Sequence, residues 1–188
     1  SVTITAVRAD DYRNWAEISA DGADAYDTVA DDVEDDDSIP DTATGADQWR
    51  DAVRDMFRRG ADVIKIASHF SVDEVKAAVD EAHALGLKVT CDCETFYIDR
   101  AVDAGVDMIE HPLPRTDDVI RKMAERKVEA DATVYVYTIL FAASGGGYFA
   151  STSRRFNFND SLNLDVMRRM RRAGVKLGVG TDLVVDWF

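Results

Sequence analysis

The sequence predicts an α/β protein built as a TIM-type barrel of about six of the eight strands. Short apolar runs of strand character alternate with amphipathic helical segments through most of the 188 residues. Five of the six runs follow one another in strict strand–helix succession, which favours a parallel sheet with right-handed crossovers. A chain of this length can bury one sizeable core, so we expect a single partial barrel domain over residues 1–188.

The strands are predicted where β-branched and other apolar residues run together. These runs lie at 2–7, 61–66, 88–92, 106–111, 128–134 and 175–179. The run at 61–66 is typical of a strand buried on both faces, because Val63, Ile64 and Ile66 stand close together in it.

The helices are predicted where apolar residues recur at three- and four-residue spacing. Their inward stripes begin at Trp49, Val72, Ile98, Val119 and Leu162. Ser71 and Glu74 have the spacing of a capping box, and Thr116 or Asp117 can cap the fourth helix. Glycines follow four of the helices, at Gly60, Gly86, Gly105 and Gly174.

Lys65 stands among the apolar residues of the 61–66 run. Burying a charged ammonium there would be energetically costly, so the position of this lysine requires a chemical or structural explanation. A neutral amine can act as a Schiff-base nucleophile, or it can take up carbon dioxide and become a carbamate that bridges two metal ions. The structural alternative is a lysine that reaches solvent or forms a salt bridge at the strand end.

In a barrel of parallel strands the chemistry lies at the carboxyl ends of the strands. The polar residues at those ends are Lys65, Asp92, Glu94, His111, Thr133 and Asp182. Each has an ordinary structural interpretation, since an aspartate can cap a helix or turn and a histidine can be hydrogen-bonded in a core. Their joint placement at successive strand ends instead predicts one site where lysine, carboxylate and histidine converge.

The composition limits the classes of partner. With 22 basic and 36 acidic residues the formal net charge is −14, which disfavours nucleic acid and anionic membrane surfaces. No apolar run approaches the roughly 18 residues of a membrane span, and residues 1–10 lack the basic and apolar regions of a signal peptide. We therefore expect a cytoplasmic protein that acts on a small-molecule substrate.

Much of the acidity is concentrated in residues 21–47, which include eleven acidic residues and no lysine or arginine. Such a run repels itself, and Pro40 and Gly45 interrupt it, so it predicts an acidic loop or insertion. A calcium loop is the sharper alternative, but the spacing lacks the Asp-x-Asp-x-Asp-Gly pattern with a late glutamate.

Cys91 and Cys93 are the two cysteines of the chain. Two cysteines so close on an extended strand do not easily adopt disulfide geometry. They therefore give little evidence against a reducing compartment. Alternation along the strand turns both away from Asp92, and neither is a candidate ligand.

Four segments, 60–66, 70–86, 104–112 and 174–182, carry the motifs GADVIKI, FSVDE through DEAHALG, AGVDMIEHP and GVKLGVGTD. In these motifs the chain resembles the amidohydrolase superfamily, and within it the imidazolonepropionase-like and Xaa-Pro dipeptidase-like members. The resemblance covers residues 47–182, which is most of the chain.

The resemblance implies a TIM-type barrel of the metal-dependent hydrolase kind, which cleaves non-peptide or dipeptide C–N bonds with one or two divalent metals, usually zinc. Lys65 matches a lysine that becomes carboxylated, and His111 matches a histidine ligand on the sixth strand. Asp182 matches the eighth-strand aspartate that binds metal and takes a proton from the attacking water. These roles are chemically consistent, because a metal lowers the pKa of its bound water toward about 7.

The sequence departs from the family pattern in three places. Asp92 stands at the fifth-strand ligand position where a histidine is expected, so an oxygen donor replaces nitrogen. The His-x-His pair of the first strand is missing, because the histidines are His69, His83 and His111. Nothing matches the family's small β-sandwich, and with 2–7 as the third strand the chain would hold strands three to eight of a longer frame.

Three functions remain open on these residues. The first is a metal-dependent amidohydrolase, and the second is a Schiff-base lyase that uses Lys65. The third is a catalytically silent amidohydrolase fragment that acts as an assembly or binding module. Six strands with two open edges also predict a homo-oligomer, because soluble proteins seldom tolerate unpaired strand edges and apolar surface.

Overall fold

The computed structural model describes residues 4–7, 15–16, 43–67, 70–93, 95–113, 116–134 and 160–180. The chain divides into two compact units, residues 1–108 and 109–188. Most of the acidic segment, residues 21–42, lies outside the described residues, so the loop and calcium interpretations of it stay predictions. The expectation of a single domain also stays a prediction.

The first unit alternates strands and helices. Its elements are β1 (Ile4–Val7), β2 (Trp15–Ala16), α1 (Ala46–Arg58), β3 (Val63–Ala67), α2 (Val72–Ala84), β4 (Lys88–Asp92) and α3 (Thr95–Ala104). The strand order is β2-β1-β3-β4. β3 and β4 pair in parallel, with Lys65 opposite Thr90 and Ala67 opposite Asp92. This parallel pair with a helix between its strands is the arrangement that the sequence pattern predicts.

The first strand differs from the expectation. β1 pairs antiparallel to β3, with Thr5 opposite Lys65, so residues 4–7 do not join the parallel series. The hydrophobic pattern of a strand does not encode its direction, because its backbone N–H and C=O groups can pair with a strand of either direction.

The predicted capping box at the start of α2 is present. Ser71 Oγ accepts a hydrogen bond from the Glu74 backbone N–H at 3.3 Å, and Glu74 Oε2 accepts one from the Ser71 N–H at 2.8 Å. Glu74 Oε1 also accepts from the Gly45 N–H at 2.8 Å, which connects the starts of α1 and α2. Burial alone would raise the pKa of Glu74, but these hydrogen bonds outweigh it and lower that pKa.

The core of the first unit lies between the strands and the helices that follow them. Its fully buried side chains include Trp49, Val53, Ile64, Ile66, Val75, Val89 and Ile98. β3 alternates sharply, since Ile64 and Ile66 are buried whereas Val63, Lys65 and Ala67 are only partly covered. The expectation that this strand is buried on both faces is therefore wrong, and Lys65 lies on the less covered face.

Asp107 connects three groups near the start of β4. Its carboxylate accepts hydrogen bonds from Lys88 Nζ and from the Val89 N–H at 2.9 Å, and His83 Nε2 lies 2.8 Å from it. Burial alone would raise the pKa of Asp107, but the hydrogen bonds from Lys88, Val89 and His83 outweigh it and lower that pKa. The cluster lies at the amino end of β4, opposite the end that carries Asp92.

The second unit continues the alternation. Its elements are β5 (Met108–Glu110), which begins on the last residue of the first unit, α4 (Asp117–Arg126), β6 (Glu129–Asp131), α5 (Asp160–Ala173) and β7 (Leu177–Gly178). The strand order is β5-β6-β7, and β6 pairs in parallel with β7, with Asp131 opposite Gly178. Thr116 caps α4 by accepting from the Val119 N–H at 3.4 Å, which decides between the two predicted caps.

Buried residues hold the helices of the second unit on its strands. They include Ile109, Ile120, Met123, Ala130, Val166 and Met170. Arg169 Nε on α5 donates to Asp117 Oδ1 on α4 at 2.9 Å. None of the helices formed by the described residues is long and apolar enough to cross a membrane.

Candidate functional site

Two side chains predicted for the site meet in the first unit. Lys65 Nζ on β3 lies 3.5 Å from Asp92 Oδ2 at the end of β4. The parallel register brings them together, because Ala67 lies opposite Asp92 and Lys65 lies two residues earlier on the same face of β3. The lysine and the carboxylate that stands in place of a histidine are therefore neighbours.

The two partners differ in exposure. The Lys65 side chain is 13% exposed, whereas that of Asp92 is 40% exposed. The ammonium is thus largely removed from water and has a carboxylate beside it, while water still reaches the carboxylate. This geometry admits the salt-bridge interpretation of Lys65, and it also places an oxygen donor next to the amine.

The cysteines beside Asp92 are joined, contrary to the expectation from an extended strand. Cys91 and Cys93 form a disulfide, with their Cα atoms 5.2 Å apart. β4 ends at Asp92, and the distance falls within the range that disulfides require because the chain no longer runs straight at that point. Both cysteines are buried, so they remain outside the candidate ligand set.

His111 and Thr133 meet in the second unit. His111 Nδ1 lies 2.7 Å from Thr133 Oγ1, and both residues are buried. They follow the ends of β5 and β6, where the sequence predicts functional residues. If His111 binds a metal, the ligand atom is Nε2, and Nδ1 then carries the proton that it donates to the threonine hydroxyl.

Both of these residues have a left-handed backbone. The φ angle of His111 is 53° and that of Thr133 is 37°. Such angles are uncommon outside glycine, and least common for a β-branched residue such as threonine. They explain why β5 and β6 end earlier than the apolar runs predict, since a left-handed residue stops strand pairing. Strain of this kind occurs at functional sites more often than elsewhere.

Asp131, the last residue of β6, is a carboxylate at the strand ends that the sequence reasoning missed. Its Oδ1 atom is buried and has no hydrogen-bond partner among the residues that the structure describes. A Cβ atom added to Gly180 would overlap Asp131 Oδ2 and lie 3.1 Å from Oδ1. The signal in the sequence was the alternation Glu129-Ala130-Asp131, which puts two carboxylates on one face of a short strand.

Two residues of the predicted set are not placed. Asp182 and Glu94 lie outside the described residues, so the predicted role of Asp182 as metal ligand and general base stays a prediction. Within the described ranges, no group of three or more histidine, cysteine, aspartate or glutamate side chains is close enough together to hold a metal ion.

Comparisons with known proteins find relatives that are longer than this chain. No family model matches the sequence. The ochratoxinase of Aspergillus niger is 28% identical over 155 residues, covering 74% of this chain and 32% of that protein. An uncharacterized protein of Mycobacterium tuberculosis is 31% identical over 155 residues, covering 77% of this chain and 39% of that protein.

Solved structures give the same result. An amidohydrolase matches with a TM-score of 0.64 and 33% identity, over 75% of this chain and 38% of the other. The A. niger ochratoxinase matches with a TM-score of 0.67 and 28% identity, over 74% and 35% of the two chains. A prolidase complexed with N-methylphosphonate-L-proline matches with a TM-score of 0.66 and 26% identity, over 82% of this chain and 43% of the other. The chain spans 32% to 39% of the length of these curated relatives.

Proposed function

Because this chain has the sequence pattern and the incomplete TIM-type fold of the amidohydrolase superfamily, we propose that it carries metal ligands of a hydrolase that cleaves C–N bonds in small molecules. The observation that supports this most directly is the Lys65–Asp92 pair. A largely buried lysine on a strand face, 3.5 Å from a carboxylate at the next strand end, is a costly arrangement for an enzyme to keep without a use.

Lys65 is proposed to exist in two chemical forms. As an ammonium it pairs with Asp92. When the neutral amine takes up carbon dioxide it loses one proton and becomes an anionic carbamate, whose oxygens would lie close to the carboxylate. Two anions in a partly buried place repel each other, so a bound divalent cation would stabilise the carbamate form.

His111 and Asp182 are the remaining proposed ligands. His111 would offer Nε2, with its ring held by the hydrogen bond to Thr133, and Asp182 would offer a carboxylate oxygen. Nitrogen and oxygen donors of this kind suit zinc and other divalent first-row metals. Such a metal would supply Lewis acidity to water and to the substrate carbonyl.

Asp182 is proposed as the general base. Its carboxylate would accept the proton of the attacking water and pass it to the leaving amine, which makes the amine a better leaving group. The C–N bond then breaks, leaving a carboxylate and an amine. This proton transfer would be the same for every acyl group that the substrate carries.

The proposed substrate class is a dipeptide or an N-acyl amino acid. The prolidase among the structural neighbours was complexed with N-methylphosphonate-L-proline, a proline derivative. Ochratoxinase and prolidase are different enzymes on one fold, so the fold alone does not choose among amide substrates. Panels of Xaa-Pro dipeptides and N-acyl amino acids are therefore the first substrates to test.

Zinc content of the full chain tests the metal proposal. Protein dialysed against zinc and bicarbonate is expected to retain at least one zinc per chain by elemental analysis. Lys65→Ala is expected to lose bound zinc and hydrolysis, with partial rescue by a short carboxylic acid. Lys76→Ala is the matched control, because Lys76 pairs with Asp80 on the exposed surface of α2 and should leave both unchanged.

Two outcomes would contradict the proposal. A chain that binds no zinc and hydrolyses no member of the panel would favour the silent binding module. Trapping of Lys65 by borohydride with a carbonyl substrate would favour the Schiff-base lyase, since only an imine gives a stable reduced adduct.

A further inference from the structure

The backbone of Asp131 is held by hydrogen bonding and strand pairing, whereas its side chain lacks a hydrogen bond at one oxygen. Its carbonyl oxygen accepts a hydrogen bond from the His111 N–H at 3.2 Å, and the residue lies opposite Gly178 on β7. Its Oδ1 atom is buried and has no hydrogen-bond partner within the described part of the chain. The sheet therefore holds a carboxylate whose Oδ1 atom has no donor among the described residues.

This lack of a donor is costly. A buried acceptor without a donor is unfavourable, and a charged one is more so. An aspartate that serves only the fold normally collects donors, as Asp107 does from Lys88 and the Val89 N–H. A cation bound at Asp131 would interact with the buried Oδ1 atom, which receives no hydrogen bond from the described residues.

Gly180 extends the argument to the neighbouring strand. A Cβ atom at Gly180 would overlap Oδ2 of Asp131 and lie 3.0 Å from its Cγ, so the carboxylate occupies the space that a side chain would need. At Gly178 a Cβ atom would meet its nearest neighbour, the Ala130 carbonyl oxygen, at an ordinary 3.7 Å. An alanine at Gly180 would therefore have to displace the Asp131 carboxylate, whereas an alanine at Gly178 would meet only ordinary contacts. The Asp131 carboxylate therefore lies close to the backbone of Gly180.

We propose that Asp131 is an additional ligand of the divalent metal, supplying a carboxylate oxygen at the strand ends of the second unit beside His111. This inference rests on the proposed function, because it assumes that a metal binds there. It adds an oxygen donor from β6 in a chain whose sequence has no His-x-His pair. Carboxylate oxygen and imidazole nitrogen together suit zinc or manganese.

Zinc affinity and metal-free stability together test this assignment. The full chain, Asp131→Asn and Glu129→Gln are titrated with zinc against a chromophoric chelator, and their thermal midpoints are measured in EDTA and in zinc. Glu129 is the matched control, because it lies two residues earlier on the same face of β6 and pairs with Lys176 at 2.8 Å. We expect Asp131→Asn to lose at least tenfold in zinc affinity and Glu129→Gln to retain it.

The midpoint in EDTA separates a ligand from a structural residue. Without metal, Asp131→Asn should be as stable as the parent protein or more stable, because the variant removes an unsatisfied charge. A clearly lower midpoint in EDTA would make Asp131 structural and overturn the assignment. Unchanged zinc affinity in Asp131→Asn would also overturn it while leaving the metal-dependent hydrolase intact. A parent chain that binds no zinc would overturn both.

A second pair of variants leaves Asp131 itself unchanged. Gly180→Ala should displace its carboxylate and lower zinc affinity, whereas Gly178→Ala should not, because its Cβ atom meets ordinary contacts. Equal zinc affinities in the two alanine variants would contradict the proposal even if Asp131→Asn failed to fold.

Discussion

Lys65 Nζ lies 3.5 Å from Asp92 Oδ2, across two parallel strands of the first unit. Lys65 interrupts an otherwise apolar strand, and Asp92 stands where the amidohydrolase pattern that the sequence resembles has a histidine. Their contact joins these two anomalies in one local arrangement. A carboxylate at this position compensates the charge of the lysine.

The unequal burial of this pair predicts unequal effects of removing each partner. Asp92→Ala leaves a largely buried ammonium without this carboxylate and should cost about 1–3 kcal/mol in the free energy of unfolding. Lys65→Met keeps the apolar stem and leaves a carboxylate that water reaches, so its cost should be below about 1 kcal/mol. Denaturant unfolding of both variants measures this, and a larger cost for Lys65→Met would contradict the explanation.

The buried His111–Thr133 hydrogen bond predicts a difference between two substitutions of the threonine. Thr133→Val keeps the shape and the left-handed backbone but leaves His111 Nδ1 without the hydroxyl, so it should destabilise the protein by about 1–3 kcal/mol. Thr133→Ser keeps the hydroxyl and should destabilise less. Equal unfolding free energies for the valine and serine variants would show that the hydrogen bond contributes nothing.

Asn163 on α5 offers a stabilising substitution. Its side chain is 0% exposed, and neither polar atom of its carboxamide has a hydrogen-bond partner among the described residues. Asn163→Leu removes this unsatisfied group at similar size and should raise the free energy of unfolding by about 1 kcal/mol. Chemical denaturation measures the change. A loss of stability would mean that the amide has a partner in solution.

The lowered pKa of Asp107 predicts a loss of stability in acid. The unfolded chain takes up a proton at the ordinary aspartate pKa of about 3.9, while the folded protein resists protonation to lower pH. The stabilisation by the Lys88, Val89 and His83 contacts is therefore present above about pH 4 and is lost as pH falls through the folded pKa. The stability difference between the parent protein and Asp107→Asn should shrink over that window, and a difference independent of pH would contradict this.

The prediction of a homo-oligomer can be tested by light scattering. Val179 beside β7 is 99% exposed, and one face of β3 is only partly covered, so apolar surface is available to a second copy. We expect a mass that is a multiple of 20.8 kDa at micromolar concentration. A monodisperse monomer, and a Val179→Asp variant of the same mass, would contradict self-association.

The sequence predicted much of the first unit because its signals are local. The capping box of Ser71 and Glu74, the glycine after α2 and the apolar stripe from Trp49 each depend on residues within one or two helical turns. The Cys91–Cys93 bond was missed because it depends on where β4 bends. The antiparallel direction of β1 was missed because a strand's hydrophobic pattern is the same for either direction of pairing.

By itself, the sequence determined the alternation of strands and helices and the resemblance to the amidohydrolase superfamily, since both arise from residue spacing along the chain. It also marked Lys65 and His111. Only the tertiary structure decided that Lys65 meets Asp92 and that Asp131 presses against Gly180, because each contact joins residues of different strands. Distances of that kind depend on strand register and on the backbone conformation at strand ends, which periodicity does not encode.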